Sequence, residues 1–385
     1  MTSKPYVLWS LPHSLYSGKI RSYLIKRGLP FVERFPSDPD FATRVLPQVG
    51  LMVIPVLETP EGEIVQENCA MIDLLEERHG QGDLAGLGPV QQVVAEVIDA
   101  YGCNALLALS MHYRWSYRAE QEVFLRNEFA RAIPRLATHA DRIDMAAKVM
   151  SRFNGFLPNL GVTEEVIPAI EAAYDELLTA LEEHFQQWPY LLGGKPSLAD
   201  FGLLAPLFAH LGRDPVPASL MKKKAPSVFR WTERMNTAVI PDPDYGHVGA
   251  DFPAGDAIPE TLEKVLTLIF AQWGPALAAD AAQFDAWVAS LADPAAGTLV
   301  SHNGERQVHP HVGRIEYQWR GVTMRRGSHP HSLWHFARAQ NKAKALQGED
   351  ARGLEALLER TGGTAMMALT TTRPIARANN VLVLA

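Results

Sequence analysis

The first 80 residues alternate between short apolar runs and amphipathic segments, which is typical of a small α/β domain. Residues 6–24 predict a short apolar strand, a polar loop that contains a proline, and the first turns of an amphipathic helix that ends near Gly28. Further segments in this part of the chain are predicted as strands at 29–35, 53–57 and 64–66 and as an amphipathic helix over 67–78. The turn at Glu61 and Gly62 joins the last two strands as a hairpin.

Beyond residue 89 the apolar positions recur at helical spacing. The predicted helices cover about 89–108, 117–136, 141–153 and 164–187. Another helix begins at Ser197, which has Asp200 three residues later, as in a capping box. The polar, glycine-rich residues 81–88 are a predicted linker between the α/β part and this all-helical part.

The last third of the chain mixes both kinds of pattern. Two helices are predicted within 259–291, followed by a hairpin about Gly321 and by helices at 333–346 and 351–360. The sequence therefore predicts an α/β domain, an all-α domain and a mixed α+β extension. Their predicted bounds are 1–80, 89–240 and 255–385.

Composition limits which kinds of partner the protein binds and in which cellular compartment it is expected. The 385 residues carry a net charge of −7 with acidic and basic positions interspersed, which argues against a nucleic-acid partner. Cys69 and Cys103 are the only cysteines, and the N-terminus lacks an apolar signal core, so a reducing cytoplasm is expected. The chain has no run of about 18 uninterrupted apolar residues, so no membrane span is expected.

The loop before the first helix carries the candidate chemistry. Ser14 and Ser17 stand three apart where the helix begins, and the free N–H groups and helix dipole at that point suit an anion. Two cysteines there would form a redox motif, whereas a serine hydroxyl can donate a hydrogen bond to the thiolate of a bound thiol. Ser14 is also a good helix cap, and Ser10, Tyr16 and Ser17 are local alternatives for the chemistry.

Two further features point to an extended ligand. Pro55 interrupts a predicted strand, which a cis Ile54–Pro55 bond would explain, because it turns backbone groups toward a ligand that can pair with them. Glu67 and Asn68 open the next helix and so provide a second anion site.

Together, the Ser14 loop, Ile54–Pro55 and Glu67–Asn68 resemble the thioredoxin-like, glutathione-binding domain of glutathione S-transferases. The segment around Ser197 and the helix at 225–235 are similar to that family's all-helical second domain, so the resemblance covers about residues 6–238.

The resemblance implies glutathione as cosubstrate, a cytoplasmic homodimer and a role in detoxification. It implies that Ile54 and Pro55 pair with the cysteinyl backbone of glutathione and that Glu67 and Asn68 hold its γ-glutamyl end. Ser14 aligns with the family's catalytic serine or cysteine.

The chain departs from the family pattern in two places. Asn68 stands where serine is usual, and residues 50–53 lack the usual base before the proline, which leaves Gln48 and Lys19 as candidates for the glycyl carboxylate.

The resemblance places an acceptor pocket beside the early helices of the second domain. The pocket candidates are Tyr101, Met111, His112 and Trp115. Aromatic residues at helical spacing also form cores, so the same residues have a purely structural interpretation, and His112 is either an acid–base group or a structural histidine.

Three functions are compatible with these residues. The first is a transferase that directs a glutathione thiolate at an apolar electrophile. The second is a glutathione-dependent isomerase, dehalogenase or ether-cleaving enzyme, and the third is a non-catalytic binding protein that keeps the fold.

Histidines concentrate in the extension, and His-Pro-His occurs twice. They are His302, His309, His311, His329, His331 and His335. Neither His-Pro-His pair has an acidic or cysteine neighbour at ligand spacing, so no metal is expected. The alternative is that residues 329–338 lie at the rim of the cleft or in contacts between domains.

Overall fold

The computed structural model describes residues 4–80, 86–134, 138–239 and 243–385. It forms two compact units, each built from three separate stretches of chain. Unit 1 comprises Met1–Asp83, Ser110–Leu157 and Leu204–Pro241, and unit 2 comprises Leu84–Leu109, Pro158–Leu203 and Asp242–Ala385. The bounds of the three predicted sequence domains stay a prediction, because the units group residues by contact and not by order. Residues 81–85 of the predicted linker lie outside the described residues.

The first stretch of unit 1 contains a mixed four-stranded sheet. Its strands are β1 (Tyr6–Trp9), β2 (Phe31–Arg34), β3 (Val56–Glu58) and β4 (Ile64–Gln66), in the order β2-β1-β3-β4. β1 is parallel to β2 and antiparallel to β3, and β3 is antiparallel to β4. The predicted strands are confirmed, although β3 begins only after Pro55.

Helices α1 (Leu15–Lys26) and α3 (Asn68–His79) pack against each other beside this sheet. Between β2 and β3, a π-helical turn (Phe41–Val45) runs into the short α2 (Leu46–Val49). A fully buried apolar cluster joins these elements, formed by Trp9, Phe41, Val45, Val49 and Val56. This is the predicted thioredoxin-like domain.

The middle of the chain is helical, as predicted. Its helices are α4 (Pro89–Asn104), α5 (Leu107–Trp115), α6 (Arg118–Ala130), α7 (His139–Asn154), α8 (Ile167–Phe185), α9 (Leu198–Ala209), α10 (Pro215–Lys224) and α11 (Pro226–Met235). In unit 1, α6 packs against α7 and α10, and α10 packs against α11.

The predicted capping box at the start of α9 is confirmed. Asp200 accepts hydrogen bonds from the Ser197 N–H at 2.9 Å and from the Ser197 hydroxyl at 2.8 Å. Its other oxygen accepts from the Leu191 N–H at 3.0 Å. All three groups are buried, so one carboxylate satisfies three donors inside unit 2.

The prediction of two helices within 259–291 is wrong. A single helix, α12 (Glu260–Ser290), runs through Pro275. Proline removes one backbone hydrogen bond, but apolar residues on both sides of it, such as Trp273 and Leu277, are buried and hold the two halves in one helix. Trp319 donates from its indole nitrogen to the Gln272 carbonyl at 2.9 Å, in the turn that precedes Pro275.

The rest of the extension contains two hairpins and three helices. Its elements are β5 (Arg314–Trp319), β6 (Val322–Gly327), α13 (Pro330–Ala345), α14 (Gly348–Thr361), α15 (Thr364–Met367), β7 (Ile375–Ala378) and β8 (Val381–Leu384). The hairpin about Gly321 is confirmed. The sequence analysis missed β7 and β8, although Asn379 and Asn380 adopt φ of 49° and 64°, as a two-residue hairpin turn requires.

Helix α13 packs along α4 within unit 2 through a buried chain of hydrogen bonds. His331 Nδ1 contacts the Asn104 side-chain oxygen at 3.1 Å, and the Asn104 amide nitrogen contacts His335 Nδ1 at 3.0 Å. His335 Nε2 in turn lies 3.0 Å from a carboxylate oxygen of Asp99. Two of the clustered histidines therefore join helices, and a role for residues 329–338 at a cleft rim stays a prediction.

Two helical stretches are long and apolar enough to cross a membrane by length and composition. They are Pro89–Trp115, whose apolar 18-residue window is 83% buried in the protein, and Glu260–Ser290, whose window is 50% buried. Because core helices of water-soluble proteins pass the same test, this finding is weak evidence for a span.

Candidate functional site

The loop between β1 and α1 places Ser14 at the start of the helix, as predicted. Ser14 has extended backbone angles (φ −82°, ψ 123°), and its Oγ accepts a hydrogen bond from the Ser17 N–H at 3.4 Å. Its own N–H donates to the Leu11 carbonyl at 3.1 Å. Across the part of the chain that the structure describes, the Ser14 hydroxyl hydrogen has no acceptor, so it is available to a ligand.

The other loop hydroxyls differ from Ser14 in exposure. Ser10 and Ser17 are fully buried, and Ser10 donates to Glu33. Ser17 Oγ has no hydrogen-bond partner among the described residues, and Tyr16 is half-buried. Of the three loop serines, only Ser14 combines partial exposure with an uncommitted hydroxyl hydrogen.

Two arginines, Arg21 and Arg114, donate to backbone carbonyls on the buried side of this loop. His13 is buried, and burial, followed by the Arg114 charge, holds the pKa of its imidazole well below the usual value, so His13 is neutral at pH 7. Arg21 donates to the Leu11 carbonyl at 3.2 Å and pairs with Glu33 at 2.7 Å. The loop backbone is thus held from behind while Ser14 faces outward.

The Ile54–Pro55 peptide bond is cis, which confirms that expectation. Pro55 is buried and Ile54 is half-buried. The bond directly precedes β3, whose Val56 is paired in register with Trp9 at the end of β1. The proline and the Ser14 loop therefore both lie at the end of β1.

Glu67 and Asn68 open α3, as predicted. Glu67 has φ 92° and ψ 127°, a region that residues other than glycine rarely adopt, and its carbonyl accepts from the Met71 N–H at 2.9 Å. Asn68 is 5% exposed, and its side-chain oxygen has no partner within the described ranges. Strained backbone next to an unsatisfied buried polar atom is typical of ligand-binding positions.

Two family models match the chain. Residues 8–83 match the glutathione S-transferase N-terminal domain, and residues 164–234 match the glutathione S-transferase C-terminal domain. These two segments of the chain therefore match the two domains of glutathione S-transferases. The residues beyond 234 form an extension of this transferase fold.

Solved structures of transferases resemble the chain at low identity. A glutathione S-transferase from Methylobacterium radiotolerans, in complex with glutathione sulfonate, is 18% identical over 65% of this chain and 96% of its own, with a TM-score of 0.35. Glutathione transferase GSTFuA3 from Phanerochaete chrysosporium is 15% identical over 63% of this chain and 100% of its own, with a TM-score of 0.42.

A glutathione S-transferase from Methylobacillus flagellatus with GSH bound is 15% identical over 62% of this chain and 96% of its own, with a TM-score of 0.34. No curated protein sequence matches the chain.

The four pocket candidates are buried, and they do not all lie in one unit. Tyr101 belongs to unit 2, where its hydroxyl donates to the Gln272 side chain at 2.8 Å. Met111, His112 and Trp115 belong to unit 1, where His112 Nδ1 contacts the Ser116 hydroxyl at 2.8 Å. These contacts fit the core interpretation for Tyr101 and His112, and the acceptor pocket stays a prediction.

Neither candidate for the glycyl carboxylate is placed as a ligand-binding residue would be. Lys19 is fully buried within α1, and the Gln48 amide donates to the Arg44 carbonyl at 3.0 Å. The sequence analysis missed His13 and Arg114 behind the loop, because no local pattern links residues 101 positions apart.

Proposed function

We propose that this transferase-fold protein binds glutathione in unit 1 and stabilises its thiol as a thiolate through the Ser14 hydroxyl. The observation that carries the proposal is the partly exposed Ser14 hydroxyl, whose hydrogen has no acceptor among the described residues at a helix start of the matched N-terminal domain. A serine cannot exchange disulfides, but it can donate to sulfur, and the N-terminal end of α1 favours negative charge there.

The rest of the proposed glutathione site lies in the same unit. The backbone at Ile54 and Pro55 would pair with the cysteinyl part of glutathione. Glu67 and Asn68 would hold the ammonium and carboxylate of the γ-glutamyl end, because they provide a carboxylate and an amide at the N-terminal end of a helix. The strained φ of Glu67 and the unsatisfied oxygen of Asn68 support this assignment.

The reaction proposed is attack of the thiolate on an electrophilic carbon of a largely apolar molecule. A free thiol is only a few per cent ionised at pH 7, so lowering its pKa by about two units raises the thiolate concentration more than tenfold. The sulfur then forms a bond to carbon as the leaving group departs with the bonding electron pair. A cytoplasmic homodimer acting in detoxification is part of the same proposal.

Glutathione binding to wild type and Glu67→Ala, measured by calorimetry, tests the proposed site. We expect micromolar to millimolar affinity in wild type and a loss of about tenfold or more in the variant, because a charge-assisted contact is removed. Glu77→Ala, on the same helix α3, is the matched control and should bind as wild type does. Unchanged affinity in Glu67→Ala would remove Glu67 from the site.

Absence of binding in wild type would instead favour the non-catalytic alternative. Product analysis with model electrophiles separates transfer from isomerisation, dehalogenation or ether cleavage, because only transfer leaves the sulfur attached to the product.

A further inference from the structure

Arg114 on α5 uses all five of its N–H donors inside unit 1. Nε and Nη2 donate to the two carboxylate oxygens of Asp214 at 2.7 and 2.8 Å, and Nη2 also donates to the Ala209 carbonyl at 3.0 Å. Nη1 donates to the His13 carbonyl at 3.0 Å and contacts His210 Nε2 at 2.8 Å. Because guanidinium N–H groups only donate, the His210 nitrogen must accept, so its ring is neutral.

The whole arrangement is buried. Arg114 is 2% exposed and Asp214 is 0% exposed. Burial, with Arg114 as the next contribution, holds the pKa of His210 well below its ordinary value, in agreement with the neutral ring. A buried cation with a paired carboxylate and no spare donor is fixed in one position.

The contact with His13 determines the orientation of the next residue. The His13 carbonyl and the Ser14 N–H belong to one planar peptide group, so fixing one end fixes the other. Arg114 holds the carbonyl end, and the Leu11 carbonyl holds the N–H end at 3.1 Å. The backbone from which the Ser14 hydroxyl projects is therefore held on both sides.

We propose that Arg114 is a positioning residue for thiol activation, which fixes the His13–Ser14 peptide so that the Ser14 hydroxyl points at the sulfur. This inference rests on the proposed function, since Ser14 must first donate to a bound thiol. Arg114 does not touch the thiol itself. Lysine cannot replace it, because an ammonium has three donors and no planar fork.

The test compares Arg114→Lys with Arg326→Lys. Arg326, whose side chain is 12% exposed, also donates to both oxygens of one aspartate, Asp280, at 3.1 and 2.8 Å, but it lies in unit 2. Three quantities are measured on each full-length protein: the melting temperature, amide hydrogen exchange of the peptide covering residues 10–17, and the pKa of bound glutathione from thiolate absorbance.

We expect both variants to melt at lower temperature than wild type. In Arg114→Lys alone, exchange at residues 10–17 should rise about tenfold or more, and the thiolate fraction at pH 7 should fall about tenfold. The specificity constant with a chloronitrobenzene electrophile should fall about 10- to 100-fold, the size of effect that a displacement of about 1 Å produces.

Unchanged exchange in a folded Arg114→Lys protein would overturn the proposal. So would faster exchange with an unchanged thiolate pKa, because Arg114 would then stabilise the loop without acting on the thiol.

If wild type binds no glutathione, the proposed function fails, while the exchange rates still report whether Arg114 holds the loop. Should Arg114→Lys not fold, Asp214→Asn gives the same readouts, since it keeps the arginine and removes one of its acceptor oxygens.

Discussion

Two serines begin helices in this protein, and they are used differently. Ser197 is fully buried at the start of α9, and both its N–H and its hydroxyl donate to Asp200. Ser14 is half-buried at the start of α1, accepts one long hydrogen bond of 3.4 Å, and donates to no described residue. The same residue type in the same structural position thus completes its hydrogen bonding in one unit and leaves it open in the other.

The difference lies in the residue three positions along the helix. Asp200 takes the hydroxyl hydrogen of Ser197, whereas the corresponding residue after Ser14 is Ser17, which offers only its backbone N–H to the cap. A cap that closes on a carboxylate stabilises the fold. A cap that only accepts keeps a donor for something outside the protein, and this is the physical distinction between a folding serine and a candidate catalytic serine.

The largest expected effect on stability concerns the cap that Ser197 and Asp200 form, which we call the closed cap. Asp200→Ala should lower the free energy of unfolding by about 3–5 kcal/mol, because it leaves the Leu191 N–H, the Ser197 N–H and the Ser197 hydroxyl buried without this acceptor. Chemical denaturation measures the change.

The matched control for this prediction is Asp141→Ala. Thr138 and Asp141 form the same kind of box at the start of α7, but on the surface. The control should lose about 1 kcal/mol or less. Equal losses in the two variants would mean that burial does not distinguish the caps.

A smaller effect concerns pH and the segment that leads into the closed cap. His184 Nε2 lies 3.2 Å from the Tyr190 carbonyl, and its Nδ1 lies 2.8 Å from the Thr261 hydroxyl. Burial lowers the pKa of His184 to about 4. The unfolded chain, with a histidine pKa near the ordinary value of about 6.5, therefore takes up this proton first as the pH falls.

The contribution of His184 to the free energy of unfolding should be fully present above about pH 6.5. It should decrease as the pH falls toward 4, by on the order of 3 kcal/mol in total. The measurement is the free energy of unfolding against pH in wild type and His184→Gln. The variant should lose less stability over this window, and parallel curves would show that His184 does not titrate differently on unfolding.

The smallest effect on stability concerns the cap at Ser14, which we call the open cap. It is also the sharpest test of the difference between Ser14 and Ser197. Ser14→Ala should cost about 1 kcal/mol or less of folding free energy. It should raise the pKa of bound glutathione by about one unit while the affinity changes little, because the other proposed contacts remain. Thiolate absorbance against pH measures this.

Ser17→Ala is the matched control for Ser14→Ala. The Ser17 hydroxyl is buried and has no partner within the described residues, so its removal should leave the thiol pKa unchanged. Coincident titration curves for wild type and Ser14→Ala would reduce Ser14 to a helix cap and make Tyr16 the next residue to test.

Much of the fold could be predicted because its signals are local. The alternation in β1 to β4, the helical spacing and the Ser197 box each lie within a few residues of one another. The failures have local causes too. Residues 259–291 were divided into two helices although they form one, and the Asn379–Asn380 turn was not recognised as a hairpin signal.

The sequence predicted the candidate residues of the site itself but not the residues behind the loop that hold them. Ser14, Pro55 and Glu67 follow from caps, a strand proline and a helix start. The contact of Arg114 with the His13 carbonyl joins residues 101 positions apart, and Glu67 has a positive φ although it is not a glycine. Neither leaves a pattern in the local sequence, because long-range contacts depend on how the helices pack.

The interleaved order of the two units has a consequence for synthesis on the ribosome. Every stretch of unit 1 has been translated by residue 241, whereas unit 2 still needs residues 242–385. At typical translation rates those residues take roughly 7 to 29 s. During that interval α8 lacks α12, and α4 lacks α12 and α13, which pack against them in the finished protein. Nascent chains of this protein should therefore be held by chaperones while the last third is made.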